Sequence, residues 1–105
     1  MRKAKIFVHD LPAGVMEERE PGKAYRFVYF PAYQGAPVSL TMPVVEGGYS
    51  FSEFPPFFEG LLPEGVMLEG MLRRLKIDRR DYFAQLVATG QDLVGAVTCE
   101  ALPDE

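Results

Sequence analysis

The chain has 105 residues, 48% of them apolar and including 8 Phe and 5 Tyr, which suffices for one compact core and leaves no room for a second domain. Its 15 acids against 11 bases give a net charge of −4, a balance that argues against a general nucleic-acid binder, because phosphate neutralisation needs a basic surface. The single cysteine excludes an intramolecular disulfide, and no apolar run approaches signal length or the roughly 20 residues of a membrane span, so a soluble cytoplasmic protein is expected.

Residues 3–9 (KAKIFVH) read as a strand with Ile6 and Val8 on one face and Phe7 on the other. The following LPAGVMEE reads as a second short strand, in which Pro12 marks an edge or a bulge. The two form a hairpin whose turn carries no strong signature. Glu20-Pro21-Gly22-Lys23 is a turn by composition. AYRFVYF is the strongest strand signal, with Tyr25, Phe27 and Tyr29 on one face and Arg26, Val28 and Phe30 on the other.

Residues 31–37 are a loop. In VSLTM the alternation predicts a further strand, with Val38, Leu40 and Met42 inward and Ser39 and Thr41 outward. Pro43 ends it, and Gly47-Gly48 marks a turn before Tyr49. From residue 55 the period changes: PPFFEGLLPEG is apolar but broken by Pro and Gly, which predicts a short, interrupted helical turn. Residues 66–76 then show helical spacing, with Leu68, Met71, Leu72 and Leu75 on one face and Gly70 weakening the interior. Asp78 is the expected N-cap of the next helix, with Asp81 completing a weak capping box. That helix, RDYFAQLVA, is expected to bury Tyr82, Phe83, Leu86 and Val87 and to end at Gly90. Finally GAVTCEAL alternates, with Val97, Cys99 and Ala101 opposing Thr98 and Glu100, and should return to the sheet. The expected fold is one α+β domain over residues 1–105, a mainly antiparallel, barrel-like sheet with two or three short helices packed to one side.

Little in this order points to catalysis. His9 and Asp10 are adjacent in a strand and would face opposite ways, so a base oriented by a carboxylate is disfavoured. Cys99 alternates into the presumed core as a small hydrophobe. One His and one Cys cannot form a zinc set, and the Gly-rich stretches lack the spacing of a phosphate cradle. The acid pairs Glu17-Glu18 and Asp104-Glu105 read as solvated turn or tail charges. The chain is therefore expected to be no enzyme, with no catalytic residue, no cofactor and no metal.

Two features exceed the generic. Arg73, Arg74, Lys76, Arg79 and Arg80 cluster at the helix junction, either as a contact for nucleic acid or an acidic partner, or as a solvated face diluted by Glu69, Asp78 and Asp81. The segment Phe54–Met67 concentrates apolar side chains where no long helix can bury them all. Either they all fold under the sheet, or some remain exposed as a docking site, the early aromatics being the more core-like and the Val66–Met67 tip the more exposed.

The strings VSLTMPV, FPPFFEGLLPEG, the helix with Arg73-Arg74, and TGQDLVGAV together resemble the N-terminal subdomain of HipA-type serine/threonine kinases, in the order SLS(L/M)P, FF(D/E)xLLP(D/E), xGxDxxGA. The match runs over roughly residues 38–97. HipA kinases continue into a phosphate-binding loop, a catalytic Asp and metal-binding residues, none of which has a counterpart here, so the resemblance implies no kinase activity. A free-standing copy is similar to the HipS-like small antitoxins of three-gene HipBST systems. That similarity implies a HipA-like (HipT-type) kinase toxin as partner, bound in trans, with a helix-turn-helix HipB-like protein as a further member of the complex. The expected contacts are Phe58, Leu61, Leu62, Pro63, Glu64, Val66 and Met67, with Arg73, Arg74, Arg79 and Arg80 as electrostatic contacts. No membrane and no direct nucleic-acid partner is expected. Two other readings remain open: an N-terminal fragment of a longer kinase, and a nucleic-acid-binding module using the Arg73–Arg80 cluster.

Overall fold

A computed structural model describes residues 1–91, 93 and 95–103. The Asp104-Glu105 pair and parts of the TGQDLVGAV motif lie outside the described residues. Eight elements follow in order: β1 (Arg2–Val8), β2 (Leu11–Glu20), β3 (Ala24–Tyr29), β4 (Tyr49–Phe51), α1 (Pro56–Glu59), α2 (Gly65–Leu75), α3 (Tyr82–Ala88) and β5 (Val97–Leu102). All pairings are antiparallel, in the order β4-β3-β2-β1-β5, so the first and last strands are neighbours. The sheet is open rather than barrel-like, with β4 and β5 at its edges.

The β1–β2 hairpin closes through His9 and Asp10, whose φ angles of 50° and 65° are the left-handed pair that a two-residue turn of this twist requires. His9 therefore belongs to the turn, not to the strand. Asp tolerates this region through its short polar side chain, but His-Asp is not a turn signature, which is why the sequence was mute here. Pro12 sits at the predicted bulge: the register shifts from Ile6↔Gly14 to Phe7↔Pro12, leaving Ala13 unpaired with β1. Ala13 instead accepts the Phe30 N–H at 2.9 Å.

One face of the sheet carries Ala4, Ile6, Val8, Met16, Tyr25, Phe27, Tyr29, Val97 and Cys99, and all are buried. The helical segment covers this face. Phe54 meets Tyr25 edge-on with centroids 5.3 Å apart, and Phe58 packs against Phe27 at 6.1 Å. Phe83 and Leu86 of α3 complete the core. Ala101, predicted inward, is exposed, at the rim of a gap between β5 and α3 bordered by Phe83, Ala84 and Val87. Gly90 passes directly over β5: a Cβ there would lie 2.1 Å from the Cys99 carbonyl oxygen. The Cys99 N–H donates to the Gly90 carbonyl at 3.0 Å, and Gln91 Nε2 donates to the Cys99 carbonyl at 3.1 Å. The outer edge of β5 is thus occupied at its midpoint.

The predicted strand over residues 38–42 is absent. Only an isolated bridge joins Ser39 to Met42, and Leu40 is 94% exposed at the tip of the turn. The reason is a tyrosine. The Tyr29 hydroxyl accepts the Val38 N–H at 2.8 Å and donates to the Met42 carbonyl at 2.5 Å, so one side chain takes the place of a neighbouring strand. Val38 and Met42 are still buried, as the alternation implied.

Candidate functional site

The residues singled out in the sequence converge on the junction of α1 and α2. Pro55 and Pro56 start α1, and Pro56 occupies the first helical position, where its missing N–H is harmless. After one turn the chain tightens: the Leu61 N–H donates to Phe58 O and the Leu62 N–H to Glu59 O, both at 3.1 Å. Gly65, at φ +60°, then redirects the chain into α2. Glu64 precedes it as N-cap but makes no side-chain capping bond.

This path divides the predicted contacts. Phe58 is fully buried against Phe27 and cannot be a contact; its side chain is the wedge that holds the junction to the sheet. Leu62 is also buried, at 8% exposure, and Leu61 and Pro63 are half-buried. Glu64 is exposed, and Val66 and Met67 stand out at 88% and 76% exposure. α2 buries Met71 and Leu72 and half-buries Leu68, while Leu75, expected on the same buried face, is 44% exposed. Val66, Met67 and Leu75 thus form an apolar surface of α2 that the described residues leave exposed. Between this helix and the body lies a groove of about 590 Å³ bordered by Leu61, Leu62, Met67, Met71, Arg74 and Leu93. That volume falls within the ~300–1,000 Å³ of pockets that enclose a ligand-sized group.

Within the basic cluster, one member is engaged in an ion pair. Arg79 pairs with Glu69, Nη1 to Oε1 at 2.6 Å, and this bond, helped by the charge of Arg73, holds the Glu69 carboxyl below its ordinary range. The Arg80 N–H donates to Asp78 Oδ1 at 2.8 Å, so Asp78 shapes a turn rather than capping a helix. The N-cap of α3 is Asp81, whose Oδ1 accepts the Ala84 N–H at 3.1 Å. Arg74 borders the groove and makes no ion pair among the described residues.

One polar network was missed in the sequence. Glu18 is 4% exposed in β2, not a solvated turn acid. It accepts from Arg2 Nε at 2.7 Å, from the Tyr25 hydroxyl at 3.0 Å and from the Gly22 N–H at 3.3 Å. Arg2 also reaches Asp81 at 2.8 Å and lies over the Phe83 ring at 5.0 Å. The signal was present: Glu18 is in phase with the buried Met16. Burial raises the Tyr25 hydroxyl well above its usual pKa, and the Glu18 carboxylate adds to this. The network joins β1, β2, β3 and α3, so it belongs to the scaffold. His9 is exposed in its turn, and burial pushes the Cys99 thiol up to about 11, which suits a packing residue better than a nucleophile. Tyr82, expected in the core, is 37% exposed and covers only the edge of Phe54.

With this geometry in place, comparison with known proteins is informative. Residues 4–100 match the family model described as the HipA N-terminal domain. An uncharacterized protein of Haemophilus influenzae is 32% identical over 97 residues, covering 92% of this chain and 90% of that protein. A solved structure of the N-terminal domain of HipA toxin superposes with a TM-score of 0.76 at 27% identity, covering 100% of this chain and 96% of that one.

Proposed function

The chain belongs to the HipA N-terminal domain family, and from that premise we propose that it is an antitoxin that binds a HipA-like serine/threonine kinase in trans and holds it inactive by direct protein contact. The observation that carries this reading is the exposure of Val66 and Met67 on a helix that its own domain only partly covers. Neighbouring apolar side chains left exposed on a folded domain mark protein interaction sites. The domain contributes contact and no catalytic step, in the cytoplasm, and a helix-turn-helix HipB-like protein joins the same complex. No helix of the described residues is long and apolar enough to cross a membrane.

The nucleic-acid reading of the Arg73–Arg80 cluster has less support, since Arg79 is already engaged by Glu69. The test is co-expression with a HipA-like kinase that lacks this domain, following co-purification and growth. Stable co-purification with rescued growth is expected. A kinase that arrests growth unrelieved, with no complex recovered, overturns the proposal.

A further inference from the structure

Gly70 sits in the middle of α2 although glycine is among the poorest residues for a helix interior. Among the described residues nothing calls for it: a Cβ at this position would meet none of their atoms within 4 Å, and its φ is not in the left-handed region. It lies on the wall of the groove, one turn from Met67 and one turn from Arg74. Met67 and Arg74 fall on one stripe of α2, about 10 Å apart along the axis. The groove therefore runs from an apolar end, at Leu61 and Met67, past a bare stretch of backbone, to a guanidinium with no ion-pair partner among the described residues.

We infer that this groove is the seat of an amphipathic helix of the partner, with a large apolar side chain at the Leu61–Met67 end, close approach at Gly70, and an Asp or Glu two turns further on against Arg74. Charge complementarity selects the acidic residue: the groove carries a cation on a protein whose net charge is −4. The groove's character selects the helix. It is walled by α2 and a loop and offers no strand edge, so an extended segment would leave its own N–H and C=O groups unpaired on an apolar floor. A helix satisfies them internally, and Gly70 lets two helices approach closely. This inference rests on the reading of the chain as a kinase-binding domain and specifies which chemistry of the kinase is recognised.

The test uses the full chain, its Gly70→Ala, Gly70→Leu and Arg74→Glu variants, and two probes. One probe is the co-expressed kinase. The other is a stapled helical peptide with leucines on one face and a glutamate two turns on, with a lysine-for-glutamate peptide as control. The glutamate peptide is expected to shift amide signals of Leu61, Met67, Gly70 and Arg74, and the lysine peptide to bind at least about tenfold more weakly. Gly70→Leu and Arg74→Glu should weaken kinase and glutamate peptide by a similar factor, while Gly70→Ala remains folded and more heat-resistant than the parent. Equal binding of both peptides, or of kinase to parent and Gly70→Leu, overturns the groove assignment and leaves the antitoxin reading standing. Binding of the glutamate peptide without any binding of kinase does the opposite.

Discussion

Arg2 and Asp81 are joined by two parallel hydrogen bonds, Nη2 to Oδ1 at 2.8 Å and Nη1 to Oδ2 at 3.1 Å, across most of the length of the sequence. The same Oδ1 caps α3 through the Ala84 N–H. One carboxylate thus fixes the start of a helix and ties it to the first strand. Replacing it removes a cap and leaves Arg2 with Glu18 alone. Asp81→Ala is expected to lower stability by about 1–2 kcal/mol, most of it the lost cap, because the pair itself is partly exposed and screened. Urea denaturation checks this, and Asp81→Asn, which keeps an acceptor oxygen, should fall between the two.

The same pair sets part of the pH dependence. Burial pushes the Asp81 carboxyl up, but the Arg2 hydrogen bonds, the Ala84 N–H and the Arg2 charge together outweigh it, leaving the group below its ordinary value. Its contribution is therefore present above the unfolded value of about 3.9 and is lost as pH falls through the lower folded value. Tyr25 has the opposite sign. Its raised pKa favours the fold while the phenol is protonated, and that advantage is lost as pH rises beyond about 10, where the unfolded chain ionises first. Thermal melts against pH should show both limbs. Asp81→Asn should reduce the slope of the acid limb and Tyr25→Phe that of the alkaline one, to which the raised Tyr29 and Tyr33 also contribute.

Phe58 and Val66 were both among the expected contacts, yet they should respond to mutation in opposite ways. Phe58→Ala empties a fully buried site against Phe27 and is expected to cost about 3–5 kcal/mol of stability. Val66→Asp and Met67→Asp change exposed positions and should alter stability by no more than about 0.5 kcal/mol while abolishing kinase binding. Calorimetry of the free protein and pull-down of the kinase separate the two classes.

Two glycines make a similar contrast. Gly70→Ala adds a methyl to open space in a helix interior and should stabilise the free domain by about 0.5–1 kcal/mol. Gly90→Ala places a methyl 2.1 Å from the Cys99 carbonyl oxygen, so α3 and β5 must separate, and an expected loss of about 2 kcal/mol or more follows from overpacking. Melting temperatures of the two variants should move in opposite directions.

Much of this fold was legible because period and burial agree. Ile6 with Val8, Tyr25 with Phe27 and Tyr29, and Val97 with Cys99 alternate as strands and are buried as strands. The segment around Leu40 has the same alternation, but its partner is the Tyr29 hydroxyl, a long-range side-chain contact that no local pattern encodes. Asp78 and Asp81 both have the chemistry of a cap, and the choice between them was made by Arg2, remote in sequence. At the site, the composition of Phe54–Met67 indicated an apolar surplus, and the exposed tip was placed at Val66 and Met67. Phe58 was misassigned because both the buried wedge and the exposed tip are apolar; only the direction of the chain after Gly60 distinguishes them. The groove was not legible at all, since Thr89 and Leu93 border it from beyond α3.

The bonds from Gly90 and Gln91 to Cys99 have a consequence for assembly. An incoming strand would find the middle rung of β5 already taken, so templated growth of the ladder is blocked on that side. On the opposite side, β4 offers a rim of only three residues, Tyr49–Phe51. Neither rim of the sheet therefore offers a long free strand edge to a second sheet, even though the domain exposes the apolar side chains of Val66 and Met67.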